Sequence, residues 1–152
     1  MMLKITDHFS YDELTATDKG ELQAKNREAG TGYLLNLTAL AKELEKVREF
    51  FRAPVKVHSA FRCPELNAAV GGAPTSDHTT GRAADFSVVG YEDLNGLRFV
   101  FEWCRNNTSF RQLILERPEG RKPWIHLAVP RPGEEGKPGR AMEYDGKKYT
   151  DV

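Results

Sequence analysis

Ser76-Asp77-His78-Thr79-Thr80-Gly81-Arg82-Ala83-Ala84-Asp85 places a histidine and a carboxylate seven residues apart across a tight turn. A borderline-soft cation such as zinc accepts imidazole nitrogen together with carboxylate oxygen, and a catalytic site needs three protein ligands and one open position. Gly81 lets the chain turn, and Arg82 to Val88 reads as a short strand whose small residues leave room beside a metal. Far downstream, Trp124-Ile125-His126-Leu127-Ala128-Val129 alternates like a second strand and offers a third ligand. His78, Asp85 and His126 are therefore the candidate triad.

The alternation of the two strands agrees with that reading. Successive side chains in a strand point to opposite faces. Asp85 shares a face with Ala83 and Ser87, while Ala84, Phe86 and Val88 form the other; His126 shares a face with Trp124 and Ala128, while Ile125, Leu127 and Val129 form the other. Each strand thus offers its ligand on a mixed face and its aliphatic residues on a core face. The predicted fold class is α+β, a small and largely antiparallel sheet with helices packed on one face and the metal site on the other.

Working outward, Ser10-Tyr11-Asp12-Glu13 is a capping-box match that predicts a short helix from Tyr11. Thr17 to Gly32 is polar and contains glycine, and reads as a surface loop. Asn36 is the expected cap of a helix in which Leu37, Leu40, Leu44, Val47 and Phe51 recur at helical spacing. Its charged residues, Lys42, Glu43, Glu45, Lys46, Arg48 and Glu49, are expected to form a solvated face held by mutual pairs. Val55 to Ser59 alternates as a strand, and Pro64 to Val70 reads as a short helix closed by Gly71-Gly72. Leu94, Leu97, Val100, Phe101 and Cys104 mark a second long helix ending near Asn106-Asn107. Gln112 to Glu116 reads as a strand ending in a glutamate. Residues 130–152 form a glycine-, proline- and charge-rich tail, in which Asp145-Gly146 suggests a type I′ hairpin.

The 152 residues fit one domain, and 22 basic against 22 acidic residues leave no net charge to favour a nucleic-acid partner. No apolar run is long enough to cross a bilayer. The amino terminus lacks the layout of a secretory signal, which predicts synthesis and folding in a cytoplasm. The two cysteines, Cys63 and Cys104, have no Cys-x-x-Cys spacing and read as reduced apolar packers.

The pattern Ser-x-His-x-x-Gly-x-Ala-x-Asp followed by Trp-x-His resembles the zinc D-alanyl-D-alanine metallopeptidases. That family includes VanX- and VanY-type dipeptidases and carboxypeptidases, and phage endolysins that cut L-alanyl-D-glutamate bonds. Ser76, His78, Gly81, Ala83 and Asp85 match the first motif, and Trp124 with His126 the second. Ser59-Ala60-Phe61-Arg62 is similar to the family's Ser-Gly-Tyr-Arg segment, and Leu66 to Gly72 resembles a linker of phage-type members. His8-Phe9-Ser10 resembles their opening. The likeness runs from His8 to Val129. One departure stands out: Pro123 occupies the position, three residues before His126, where many members carry the catalytic glutamate.

The resemblance implies a hedgehog- and DD-peptidase-like fold, one zinc per chain and hydrolysis of peptidoglycan stem peptides. The bond cut is L-Ala-D-Glu, by an endopeptidase, or D-Ala-D-Ala, by a carboxypeptidase. It implies ligation by His78, Asp85 and His126, a role for Arg62 at the scissile carbonyl, and substrate binding by Ser76. With Pro123 unable to move a proton, Glu116 is the candidate base and Glu119 the second choice. A phage or prophage lysin acting on the cell wall after release is the expected setting, as a monomer with no nucleic-acid or membrane partner. The alternative is a non-catalytic zinc-binding module, since the hedgehog signalling domain shares the fold.

Overall fold

The computed structural model describes residues 3–152. A small antiparallel ribbon, β1 (Lys4–Thr6) and β2 (Phe9–Ser10), leads into α1 (Tyr11–Leu14). The Ser10 hydroxyl caps α1 by accepting from the Glu13 N–H at 3.0 Å, as the capping box predicts.

The stretch expected to be a polar loop is instead largely helical. It contains a 3₁₀ turn (Gly20–Leu22), α2 (Gln23–Ala29) and a second 3₁₀ turn (Gly30–Tyr33). The reason is Asn26, which is fully buried. Its amide donates to the carbonyls of Thr15 at 2.8 Å and Phe61 at 3.0 Å, and its oxygen accepts from the Cys63 N–H at 2.7 Å. A buried polar side chain with every bond made is a tether, not a sign of exposure.

The long helix α3 (Leu34–Phe51) buries Leu37, Leu40, Leu44, Val47 and Phe51, the stripe read from the sequence. It begins before Asn36, which is not its cap; the Asn36 amide donates to the Thr80 carbonyl at 2.8 Å. Nor is the charged face wholly solvated. Glu43 is buried, holding Lys46 and the Ser109 N–H, and Glu45 accepts from Thr6 and from the main chain and ring of His8. Arg52, in the left-handed conformation at φ 52°, ends the helix.

Then follow β3 (Val55–Ser59), α4 (Pro64–Ala69), a 3₁₀ turn (Asp77–Thr80), β4 (Ala83–Val88), α5 (Leu94–Asn107), β5 (Gln112–Glu116), β6 (Trp124–Ala128), β7 (Arg140–Tyr144) and β8 (Tyr149–Asp151). The six-stranded sheet has the order β3-β4-β6-β5-β7-β8 and is antiparallel except where β7 runs parallel to β5. The tail therefore extends the sheet. Its hairpin is looser than a two-residue turn: Tyr144 pairs with Tyr149, leaving the loop Asp145–Lys148. The Asp145 carboxylate accepts from the N–H groups of Lys147 and Lys148, both at 2.9 Å, and the Asp145 N–H donates to the Lys148 carbonyl at 3.3 Å, so side chain and backbone close the loop together.

One face of the sheet is packed under α3 and α5. Ala84, Phe86, Val88, Leu113, Leu115, Ile125 and Leu127 join the stripes of both helices in one core, which also includes Cys63 and Cys104 as free thiols. Each large aliphatic or aromatic side chain so buried contributes about 1.5–3 kcal/mol. The opposite face carries Asp85, His126, Ile114 and Met142 in one row across four strands. No helix among the described residues is long and apolar enough to cross a membrane.

Candidate metal and active site

His78, Asp85 and His126 converge on the open face, with one potential ligand atom of each lying within 4.8 Å of the others. The sheet register produces this, because Asp85 of β4 stands directly opposite His126 of β6. Asp85 Oδ1 lies 2.9 Å from His126 Nδ1 and 3.4 Å from His78 Nε2. Ligands bonded to zinc at about 2.0–2.1 Å in a tetrahedron stand about 3.3 Å apart, so the cluster has the dimensions of such a site.

His78 is delivered by the 3₁₀ turn. The Ser76 hydroxyl accepts from the His78 N–H at 3.2 Å, and Gly81, at φ 73°, reverses the chain into β4. His78 Nδ1 lies 2.7 Å from the Ala60 carbonyl oxygen. A carbonyl only accepts, so Nδ1 must carry a proton there, and Nε2 is the nitrogen turned toward Asp85. This is the second contact by which metal-binding histidines are oriented. The Arg62 N–H also donates to the His78 carbonyl, at 3.0 Å, so the 60–62 segment is zipped along the turn.

The electrostatics fit a cation. Burial by itself would raise the Asp85 carboxyl, but the two imidazoles outweigh it and hold the group well below the usual carboxylate range. Burial would lower His126; its hydrogen bond to Asp85 overcomes that and raises it. A carboxylate kept ionised between two imidazoles is a donor set ready for a metal ion in place of the shared protons.

The triad opens into a cleft of about 1620 Å³, whose lining includes Arg62, Ser76 and Glu116. Burial and the Asp85 charge push Glu116 up to about 7, against opposing pulls from His126, Arg62 and Arg121. Glu119, by contrast, is exposed and is not part of the lining. Burial lowers Arg62, and its Nε is a buried donor with no partner in the protein. His58 also faces the cleft, bonded through Nε2 to Ser87 Oγ at 2.8 Å.

The sequence matches the Peptidase M15 family over residues 7–128. The chain belongs to that family. No curated protein matches the sequence. As an M15 peptidase it is a metallopeptidase, and the His78–Asp85–His126 group is where a metal ion could be held.

Two parts of this M15 peptidase's cleft escaped the sequence reading. Asp77, beside His78, is buried and clamped by Arg111 at 3.1 Å and Arg131 at 2.9 Å. Asp77 was visible inside the motif, but nothing in spacing ties it to an arginine 54 residues away. The tail also contributes Arg140, Met142 and Tyr149 to the wall, beyond the last residue matched to the family. Their position follows from the parallel β5–β7 pairing, which leaves no local signature.

Proposed function

We propose that this metallopeptidase is a zinc enzyme that hydrolyses the stem peptides of bacterial peptidoglycan, cutting L-Ala-D-Glu as an endopeptidase or D-Ala-D-Ala as a carboxypeptidase. We read the chain as one monomeric domain of a phage or prophage lysin, made in the cytoplasm and acting on the wall after release. The observation that carries the catalytic reading is Glu116, a half-buried carboxylate in the triad's own cleft, raised to about 7. That suits a group which must both take and return a proton near neutral pH.

His78, Asp85 and His126 would hold the zinc, which when bound supplies Lewis acidity at the scissile carbonyl. Glu116 removes a proton from the attacking water and delivers it to the leaving amine nitrogen as the C–N bond breaks. Arg62 lines the cleft and donates through its guanidinium to the carbonyl oxygen as negative charge grows there. Ser76 spends its lone pair on the His78 N–H, leaving its O–H to donate to a substrate carbonyl or carboxylate.

The test is digestion of purified muropeptides, read by mass spectrometry, with wild type and Glu116→Ala and with the metal content of both measured. Cleavage by the wild type, lost in the variant at unchanged zinc, supports the peptidase. Zinc retained with no cleavage by either protein would favour a non-catalytic binding module.

A further inference from the structure

Five arginines line the cleft: Arg62, Arg111, Arg121, Arg131 and Arg140. Three have committed charges, since Arg111 and Arg131 clamp Asp77 and Arg140 pairs with Asp151 at 2.7 Å. Arg62 is accounted for by the scissile carbonyl. Arg121 is left, and its contact is unusual. Its guanidinium lies over the Trp124 ring, 4.8 Å from the centroid.

That contact gives an exposed side chain an aromatic seat. A guanidinium seated over an aromatic face uses its charge on the ring and still has its fork of N–H donors at the edge to hold a carboxylate. Trp124 precedes His126 by two residues on the same face of β6, which is about 7 Å along the strand. Trp124 also pairs with Glu116 across to β5. Arg121 therefore overlooks the end of the cleft next to the candidate base, and its charge reaches Glu116. Lys19, Lys56 and Lys122 line the same cleft, against Asp18, Glu92 and Glu116, with Asp77 and Asp85 already engaged by the arginine clamp and the histidines.

We infer that Arg121, held on Trp124, is a specificity residue that binds a carboxylate of the substrate within two residues of the scissile bond. The spacing sets the position. An extended peptide advances about 3.5 Å per residue, so a substrate with its reacting carbonyl at the triad presents the second flanking residue near Trp124. The ligand class is an acidic peptide, with the charge on a side chain or on a free α-carboxyl group. The inference rests on the peptidase reading for its substrate, but the contact itself is a binding property.

The experiment uses two synthetic stem peptides that differ only in a carboxylate or a carboxamide at the flanking residue. Binding to the zinc-loaded protein is measured by calorimetry, and cleavage is followed separately. Wild type should bind the carboxylate peptide about tenfold more tightly, the lower end for a charge-assisted bond at an exposed group. Arg121→Gln should bring that ratio close to one, Arg121→Lys should retain part of it, and zinc content should stay the same in both. Equal binding of the two peptides by wild type, or an unchanged ratio in Arg121→Gln, overturns the inference. Failure to bind either peptide overturns it as well. A preserved binding preference without cleavage leaves the subsite standing and removes the peptidase reading instead.

Discussion

Asp77 Oδ1 accepts from Arg131 Nε at 2.9 Å, joining the residue before a candidate metal ligand to the chain just beyond β6. The carboxylate is almost fully buried, and Arg111 completes the clamp from the start of β5. Arg131 also donates to the Thr75 carbonyl, and its own N–H is held by Glu134. The His78 turn is thus pinned from outside the family-matched region. Arg131→Ala should lower stability by about 1–3 kcal/mol, less than a fully buried pair because the arginine is partly exposed. It should also weaken metal binding in chelator competition. A variant with unchanged melting temperature and unchanged metal affinity would remove the clamp from the site's support.

Arg62 should matter in turnover more than in folding. Its main chain already secures the His78 turn, and its Nε has no partner to lose. Arg62→Ala should reduce kcat by about 10²–10³, the usual cost of losing an oxyanion donor, at unchanged zinc content. A kcat equal to wild type would return this arginine to a packing role.

Glu116 makes a pH prediction with a definite sign. A base must be unprotonated, so kcat/KM should rise with pH through the Glu116 ionisation and then level; a bound metal offsets the Asp85 charge that helps raise this group, so the rise should end below about 7. In the metal-free protein the same shift affects stability. Below the ordinary value of 4.5 the carboxyl is protonated both folded and unfolded. Between 4.5 and about 7 the unfolded chain loses its proton first, so this group's contribution falls as pH rises. Glu116→Gln should therefore be more stable than wild type at pH 8 and equal to it at pH 4. It should abolish hydrolysis, whereas the exposed Glu119→Gln should cleave at the wild-type rate.

Metal removal should be visible without any substrate. Because Asp85 raises His126, protons and metal compete for the same imidazole, and metal should be shed on acidification. Chelation should lower the melting temperature, and added zinc should restore it in proportion to the logarithm of free zinc. His78→Ala should abolish this response. A melting temperature indifferent to chelator would mean that the cluster holds no metal.

The sheet's two faces were legible because β4 and β6 alternate cleanly, and α3 because five large side chains recur at helical spacing. What was illegible depended on distant partners. Asn26 reads as a loop residue until Thr15, Phe61 and Cys63 surround it, and Asn36 reads as a cap until Thr80 arrives. Glu43 and Glu45 look solvated on a helical wheel because the wheel omits Ser109 and His8. The tail's place beside β5 depends on a parallel register that only the assembled sheet supplies.

The order of strands also sets a hierarchy of opening. Asp85 and His126 lie on β4 and β6, each flanked by a strand on both sides, so their amides should exchange with solvent only when the molecule unfolds as a whole. Tyr149 lies on β8, a three-residue strand at the sheet's edge whose side chains are all exposed. Fraying there opens one wall of the cleft without disturbing the ligands. The margin of the cleft can then yield while the strands that carry the candidate ligands keep their register.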